Sequence, residues 1–82
     1  EQIDKLEVFP NPASNYINVE NLKNCTIINV IDVNGKSIKK VDVLTSENDI
    51  RVNLNLIDGI YFIKFLNSSG QQINSKKLII KN

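Results

Sequence analysis

Apolar and polar residues alternate with a period of two in several short stretches of this chain. Ile17 and Val19 are separated by asparagine and flanked by tyrosine and glutamate. Ile50, Val52 and Leu54 alternate strictly with one arginine and two asparagines. Because a period of two places successive side chains on opposite faces of a strand, both stretches are predicted to be β-strands with one buried face. No stretch shows the period of an amphipathic helix.

A further strand is predicted over residues 26–32. Ile28 and Val30 share one face of this strand, which leaves Ile31 on the outer face against the pattern. The apolar positions then change parity, and this change predicts a β-bulge near Asp32. The Asp32 carboxylate is expected to accept backbone N–H bonds from the turn that follows.

The residues after this strand predict a hairpin. Asn34 and Gly35 form the dipeptide best suited to place two consecutive residues at positive φ, so a two-residue turn is predicted there. Residues 36–43 form the return strand of this hairpin. The polar residues 45–49 are predicted to be a loop.

The last part of the chain predicts a second hairpin. Residues 60–66 are apolar except for Lys64, as is typical of a central strand covered on both faces or nearly so. Residues 67–70 close the hairpin and residues 71–81 supply the final strand. Seven short, mostly antiparallel strands with turns about every ten residues predict an all-β fold, an immunoglobulin-like β-sandwich.

Gly59 and Tyr61 lie at the start of the predicted central strand. A tyrosine two residues beyond a glycine at this position is the arrangement of the tyrosine corner, in which the hydroxyl binds back to the chain. Tyr61 could instead simply fill the core, because a buried tyrosine finds some hydrogen-bond partner in either case.

Composition agrees with this fold and sets the size of the protein. Isoleucine and valine dominate the apolar residues, and side chains branched at Cβ suit a pleated sheet better than a helix. The 82 residues fit one domain, with a core over about residues 8–81. Residues 1–7 are the end of an upstream linker or a first edge strand. The apolar runs are far too short to cross a bilayer, so no membrane-spanning segment is expected.

Charge and reactive residues exclude several classes of function. Ten basic and nine acidic residues give a net charge of +1 without a basic stripe, which argues against nucleic acid as a partner. The chain has no histidine, so a Cys25 or serine nucleophile would lack its usual base. Cys25 is the one cysteine and lacks the neighbours of a zinc site, so it is expected to be a small core residue. We therefore expect no enzymatic activity, no metal and no cofactor.

Both prolines of the chain lie within three residues. Proline fixes φ and discourages helix in the residue before it, so Pro10, Asn11 and Pro12 are predicted to form a stiff, extended entry to the first packed strand. This segment could serve packing alone, or it could serve both packing and contact with a receptor.

Four stretches resemble, in order, the motifs of one protein family. Residues 9–19 (FPNPASNYINV) resemble the YPNPASDYLNI type of segment that begins the C-terminal sorting domain of the type IX (Por) secretion system of Bacteroidetes. Residues 28–36 (INVIDVNGK) resemble its V-x-I-Y-D-x-x-G-K/R hairpin, although Ile31 replaces the usual aromatic residue. Residues 56–64 (LIDGIYFIK) resemble its L-x-x-G-x-Y strand, and residues 76–81 (KKLIIK) resemble its lysine-flanked final strand.

This resemblance implies a C-terminal sorting signal that directs an upstream cargo protein across the outer membrane. The cargo would pass from the periplasm to the cell surface or the extracellular space. In the family, a sortase-like peptidase of the type IX machinery usually removes the domain and attaches the cargo to a surface anchor. The machinery and its peptidase are thus the implied partners, and the domain is their substrate.

The motifs also nominate the residues of a recognition site, which are Pro10, Asn11, Pro12, Asp32, Gly35, Lys36, Gly59, Tyr61, Lys76, Lys77 and Lys81. The three lysines of the final strand could meet an acidic receptor surface, or the strand could pair with a receptor strand through its open edge. Lysines on an edge strand equally protect against aggregation.

An immunoglobulin-like adhesion or carbohydrate-binding module is the alternative function, since the same sandwich would serve it. Sugar-binding surfaces usually present aromatic side chains on one face. The chain has no tryptophan, and of its five aromatic residues only Phe9 and Tyr16 lie outside the predicted central strand. This scarcity favours the sorting signal.

Overall fold

The computed structural model describes residues 6–44 and 47–82, and this part of the chain forms β-strands and turns without a helix. Seven strands follow one another along the chain: β1 Glu7–Phe9, β2 Tyr16–Glu20, β3 Ile27–Ile31, β4 Ser37–Asp42, β5 Ile50–Asn53, β6 Gly59–Leu66 and β7 Gln72–Ile80. The predicted strands from β2 onward are confirmed, with ends that differ by one or two residues. Of residues 1–7, predicted to be linker or a first edge strand, residues 1–5 lie outside the described residues. Residues 45 and 46 of the predicted loop lie outside the described residues.

The strands form two antiparallel sheets. One has three strands in the order β1-β2-β5, and the other has four in the order β4-β3-β6-β7. In the four-stranded sheet, the last two strands pair with each other, and β6 also pairs with β3. This is the arrangement of immunoglobulin-type sandwiches, with β6 and β7 in the places of strands F and G. The predicted all-β sandwich is confirmed.

The inner faces of the two sheets supply one core. Ile17 lies opposite Val52 in the first sheet, and Val30 lies opposite Ile63 in the second. Side chains two residues apart on a strand share a face, so the alternation in the sequence becomes the alternation of burial along β2 and β3. The buried residues are Leu6, Ala13, Ile17, Val19, Leu22, Cys25, Ile28, Val30, Val43, Val52, Leu54, Tyr61, Ile63, Phe65, Leu78 and Ile80.

Strand β6 is central in its sheet, as predicted, but only one of its faces is fully covered. Tyr61, Ile63 and Phe65 point into the core, whereas Phe62 and Lys64 on the other face are half-buried. The outer face of the four-stranded sheet therefore remains in contact with solvent. The predicted coverage on both faces was wrong, because the described residues form two sheets and supply no third layer to pack on that side.

The hairpin between β3 and β4 differs from the predicted two-residue turn. The Gly35 N–H donates to the Asp32 carbonyl at 3.0 Å, and the Asp32 N–H donates to the Lys36 carbonyl at 2.9 Å. Gly35 has φ of +83°, whereas Asn34 is not among the residues at positive φ. The loop thus has three residues, of the kind in which a turn is followed by one left-handed residue. The β-bulge predicted near Asp32 is confirmed as a register shift between Val30 and Ile31.

The prolines do not precede the first strand. Strand β1 comes before them and pairs with β2, placing Val8 opposite Val19. The peptide bonds before Pro10 and Pro12 are both cis, and residues 10–12 bend. The predicted extended entry was wrong, because this segment connects two paired strands and carries the chain past the edge of the other sheet.

Candidate recognition site

Asn11 connects the proline segment to the last strand of the other sheet. Its side-chain Nδ2 donates to the Lys77 carbonyl oxygen at 2.8 Å, and its Oδ1 accepts the Ile79 N–H at 3.0 Å. A side-chain amide has the same donor and acceptor as a peptide group, so Asn11 pairs with the strand edge as a backbone unit would. Two of the predicted site elements, the Pro-Asn-Pro segment and the last strand, are thereby brought together.

Ala13 continues this pairing along the same edge. Its N–H donates to the Ile79 carbonyl and its carbonyl accepts the Lys81 N–H, both at 2.8 Å. Ala13 and Ile80 form a parallel bridge, and both side chains are buried. The outer edge of β7 is therefore covered from Lys77 to Lys81. A receptor strand that paired with the covered part would have to displace these bonds.

Tyr61 forms the predicted corner. Its hydroxyl donates to the Ile57 carbonyl oxygen at 2.8 Å, and the residue is only 7 % exposed. The ring lies in the core opposite Leu78 of β7. Gly59, two residues earlier, has a φ of +157°, and a Cβ there would meet the Tyr61 ring at an ordinary distance of 3.8 Å. Tyr61 thus fixes the segment that leads into β6, and the tyrosine-corner interpretation is confirmed over simple core filling.

Asp32 closes the first hairpin with its side chain. One carboxylate oxygen accepts the N–H groups of Asn34 and Lys36, each at 2.9 Å. The predicted role of this carboxylate is confirmed. The Lys36 side chain itself is exposed at the base of the turn. These residues lie at the same end of the sheet as Gly59 and the end of β7, since Ile31 pairs with Phe62 near the start of β6.

The three lysines of the last strand have different surroundings. Lys77 is exposed on the outer face of the sheet opposite Phe62, while Lys76 lies opposite the buried Ile63 and is half-buried. Lys81 is exposed beyond the end of the strand. Consecutive residues of a strand point to opposite sides, so Lys76 and Lys77 do not form one row of charges. A groove of about 350 Å³ separates β1 from these two residues, with Leu6 and Asn11 also lining it.

A contact at Asn82 was not predicted from the sequence. The Asn82 N–H and side-chain Nδ2 both donate to Asp58 Oδ1, at 2.9 and 2.8 Å, and Nδ2 also donates to the Leu56 carbonyl. These bonds from Asn82, with a smaller contribution from the Lys81 charge, lower the pKa of the exposed Asp58 carboxyl. The residue that follows the last lysine is thus tied to the β5–β6 connection.

The structure offers little to other kinds of site. Burial raises the pKa of the Cys25 thiol, which favours the inert thiol form of this core residue. Among residues 6–44 and 47–82, no cluster of acidic or cysteine side chains could hold a metal ion, and no helix could span a membrane. The guanidinium of Arg51 lies 4.1 Å from the centroid of the Tyr16 ring and covers one of its faces. The adhesion or carbohydrate-binding alternative is not supported.

Comparison with known proteins agrees with the motifs. A family model described as the secretion system C-terminal sorting domain matches residues 7–81. Comparison with curated proteins and with solved structures gave no significant match. The matched residues begin with β1 and end one residue after β7, so the match covers both sheets. The chain belongs to the family of secretion system C-terminal sorting domains, and it is a sorting signal for type IX secretion.

Proposed function

We propose that the type IX machinery recognises this domain in the periplasm as a folded unit and exports the cargo attached to it. The observation that carries this proposal is the agreement between residues 7–81 of the family match and the seven strands between Glu7 and Ile80. Because the match spans both sheets, it supports a signal made of the whole sandwich and the surface that the sandwich presents. An isolated stretch of sequence would not present that surface.

The sorting domain takes up the whole segment of residues 1–82, with its core over about residues 8–81. The cargo lies upstream of it and is carried to the cell surface or the extracellular space. A sortase-like peptidase of the machinery cuts ahead of the domain and joins the cargo to a surface anchor. The domain is the substrate in this reaction and performs no catalysis itself, in keeping with a sequence that lacks histidine.

The recognised residues belong to the proline segment, the two turns at the same end of the sandwich, and the last strand. The contact of Asn11 with Lys77 and Ile79 supports this grouping, because it holds the first and last motifs side by side. Asp32 and Tyr61 support it indirectly. Their hydrogen bonds fix the conformation of the turns, so the role of these two residues is to position the surface.

A reporter fusion tests the proposal. Residues 1–82, placed with a flexible linker after a reporter that reaches the periplasm, are expected to send the reporter to the surface of a host with type IX machinery. The matched control is the same fusion carrying Ile63→Asp, since a charge at this fully buried position unfolds the sandwich. Periplasmic retention of the wild-type fusion contradicts the sorting role. Export of the unfolded control contradicts recognition of the folded unit.

A further inference from the structure

The outer face of the four-stranded sheet carries an apolar cluster that the fold does not use. Ile60 and Ile79 lie directly opposite each other on β6 and β7, and Ile31 lies opposite Phe62 in the next row. Ile60 and Ile79 are 44 and 37 % exposed, and Ile31 and Phe62 are half-buried. Polar residues at these positions of the three strands would make the domain more soluble. An exposed apolar cluster in their place indicates an interaction surface.

Positive charge borders this outer cluster of Ile31, Ile60, Phe62 and Ile79 on one side. Lys77 lies opposite Phe62, and the next row holds Lys40 and Lys64 on either side of Asn29. Within the described residues, none of these three lysines forms an ion pair. The nearest carboxylate on this face among residues 6–44 and 47–82, Asp42, lies one row further away, opposite Ile27. The face therefore combines apolar contact area with unpaired cations.

We propose that this face is the docking surface for a protein partner that presents an apolar patch bordered by carboxylates. The inference rests on the proposed function, because the partner is the component of the export machinery that reads the signal. Complementary charge raises the rate of encounter and rejects partners of the wrong sign, while the apolar cluster supplies the contact itself. Ile31, which breaks the alternation expected of β3, is explained as a contact residue.

The size of the face suits a short-lived complex. Four strands about 4.8 Å apart, with five to nine residues each at about 3.3 Å per residue, give a face of roughly 450 Å². Stable complexes bury about 800 Å² on each partner. A sorting signal has to be released after it is read, and a smaller contact favours that release.

Two other occupants fit less well. A second copy in a symmetric pair would place lysine against lysine across the two-fold axis, which is unfavourable. An anionic membrane is bound best when apolar side chains reach several ångströms into it. The apolar side chains of this cluster are each less than half exposed and lie among the lysines on a flat sheet. A packed protein surface is the better match.

Charge reversal tests the proposal in the reporter fusion. Lys40→Glu combined with Lys64→Glu is expected to lower the exported fraction about tenfold or more, since it sets carboxylates against carboxylates. The control combines Lys23→Glu, in the β2–β3 loop, with Arg51→Glu on the outer face of the other sheet, and it changes the net charge equally. Thermal melting of the purified domains shows that both variants fold. Equal export of the two variants, or an equal loss in both, overturns the proposal.

The apolar part is tested separately. Ile60→Asn is expected to lower export severalfold, while Leu44→Asn, at an exposed apolar position after the end of β4, leaves it unchanged. Unchanged export of Ile60→Asn overturns the role of the cluster.

Binding of the purified wild-type domain to phosphatidylglycerol vesicles that is lost on Lys40→Glu and Lys64→Glu shows a lipid partner and overturns the protein partner. A dimer that depends on the same lysines overturns it equally. If the wild-type fusion stays in the periplasm, the proposed sorting function is contradicted. If the wild type is exported and the variants are exported equally well, only the docking role of this face is contradicted.

Discussion

Asp32 and Asn67 occupy equivalent positions in the two hairpins of the four-stranded sheet. Each uses one side-chain oxygen to accept the N–H groups of the residues two and four positions later, at 2.9 and 2.9 Å for Asp32 and at 2.9 and 3.0 Å for Asn67. Gly35 and Gly70 follow at the same spacing, with φ of +83° and +84°. The two hairpins are therefore closed by one arrangement, and a neutral amide oxygen suffices for it.

We accordingly expect Asp32→Asn to keep the stability of the domain almost unchanged. Asp32→Ala removes the oxygen that accepts both hydrogen bonds and is expected to lower the free energy of unfolding by about 1–2 kcal/mol, because each exposed hydrogen bond contributes about 0.5–1.5 kcal/mol. Urea unfolding of the two variants measures the difference. An equal loss in both would show that the charge, and not the pair of hydrogen bonds, holds the turn.

Removal of the Tyr61 hydroxyl separates its two roles. Tyr61→Phe keeps the ring in the core but leaves the Ile57 carbonyl without its donor, so a loss of about 1–2 kcal/mol is expected. Tyr61→Ala removes the ring as well and should lower the free energy of unfolding by about 3–5 kcal/mol. Tyr16→Phe is the matched control, since the Tyr16 hydroxyl makes no hydrogen bond within the described residues. A Tyr61→Phe variant as stable as the wild type would argue against the corner.

The contact of Asn11 with the last strand can be followed by amide hydrogen exchange. Asn11→Ala removes the acceptor of the Ile79 N–H, and exchange at that amide is expected to accelerate about tenfold or more, in proportion to local opening. The Leu78 amide faces β6 by strand alternation and should keep its rate. Asn55→Ala, at another exposed asparagine, serves as the control. Unchanged exchange at Ile79 would mean that the proline segment does not close this edge in solution.

The lowered pKa of Asp58 predicts a dependence of stability on pH. The folded state holds this carboxyl below its ordinary value of 3.8 through the bonds from Asn82. The contribution to stability is therefore present above about pH 4 and is lost as the pH falls below 3.8 through the folded-state pKa. In urea unfolding followed by circular dichroism, the stability difference between wild type and Asp58→Asn should be constant above about pH 4 and should shrink as the pH falls below it. Parallel curves over the whole range would contradict this contribution.

Replacement of Lys76, Lys77 and Lys81 by alanine tests the final strand as part of the signal. Only the backbone of Lys77 and Lys81 bonds to the proline segment, so folding is expected to stay nearly intact. Export of the reporter is expected to fall, because three positive charges near the last strand are lost. Lys23→Ala, away from this strand, provides the comparison. Export equal to that of the wild type would remove these lysines from the recognition site.

The parts of the fold that depend on neighbouring residues could be predicted from the sequence. Alternation along β2 and β3 indicated which side chains are buried, and the turn role of Asp32 followed from its place before Gly35. The Asn-Gly dipeptide was misleading, because the side-chain bonds of Asp32 move the turn one residue earlier and leave only Gly35 at positive φ. Local propensity indicated the hairpin, whereas its three-residue form goes with the short-range side-chain hydrogen bonds of Asp32.

Contacts between distant residues left no periodic signal. Asn11 lies 66 and 68 positions from the residues that it binds, and nothing near it in the sequence indicates that pairing. Strand β1 has only three residues, too few for an alternation to be detected. The position of the proline segment between two strands could therefore not be predicted.

The pairing of Asn11 and Ala13 with the edge of β7 makes the beginning of the domain depend on its end. A nascent chain that stops before Ile79 has no strand to complete this edge, and Asn11 and Ala13 then have no backbone to bind. The sandwich closes at this edge only when residues 77–81 are present. A receptor that reads the closed shape would thus pass intact domains and leave domains truncated before Ile79 behind.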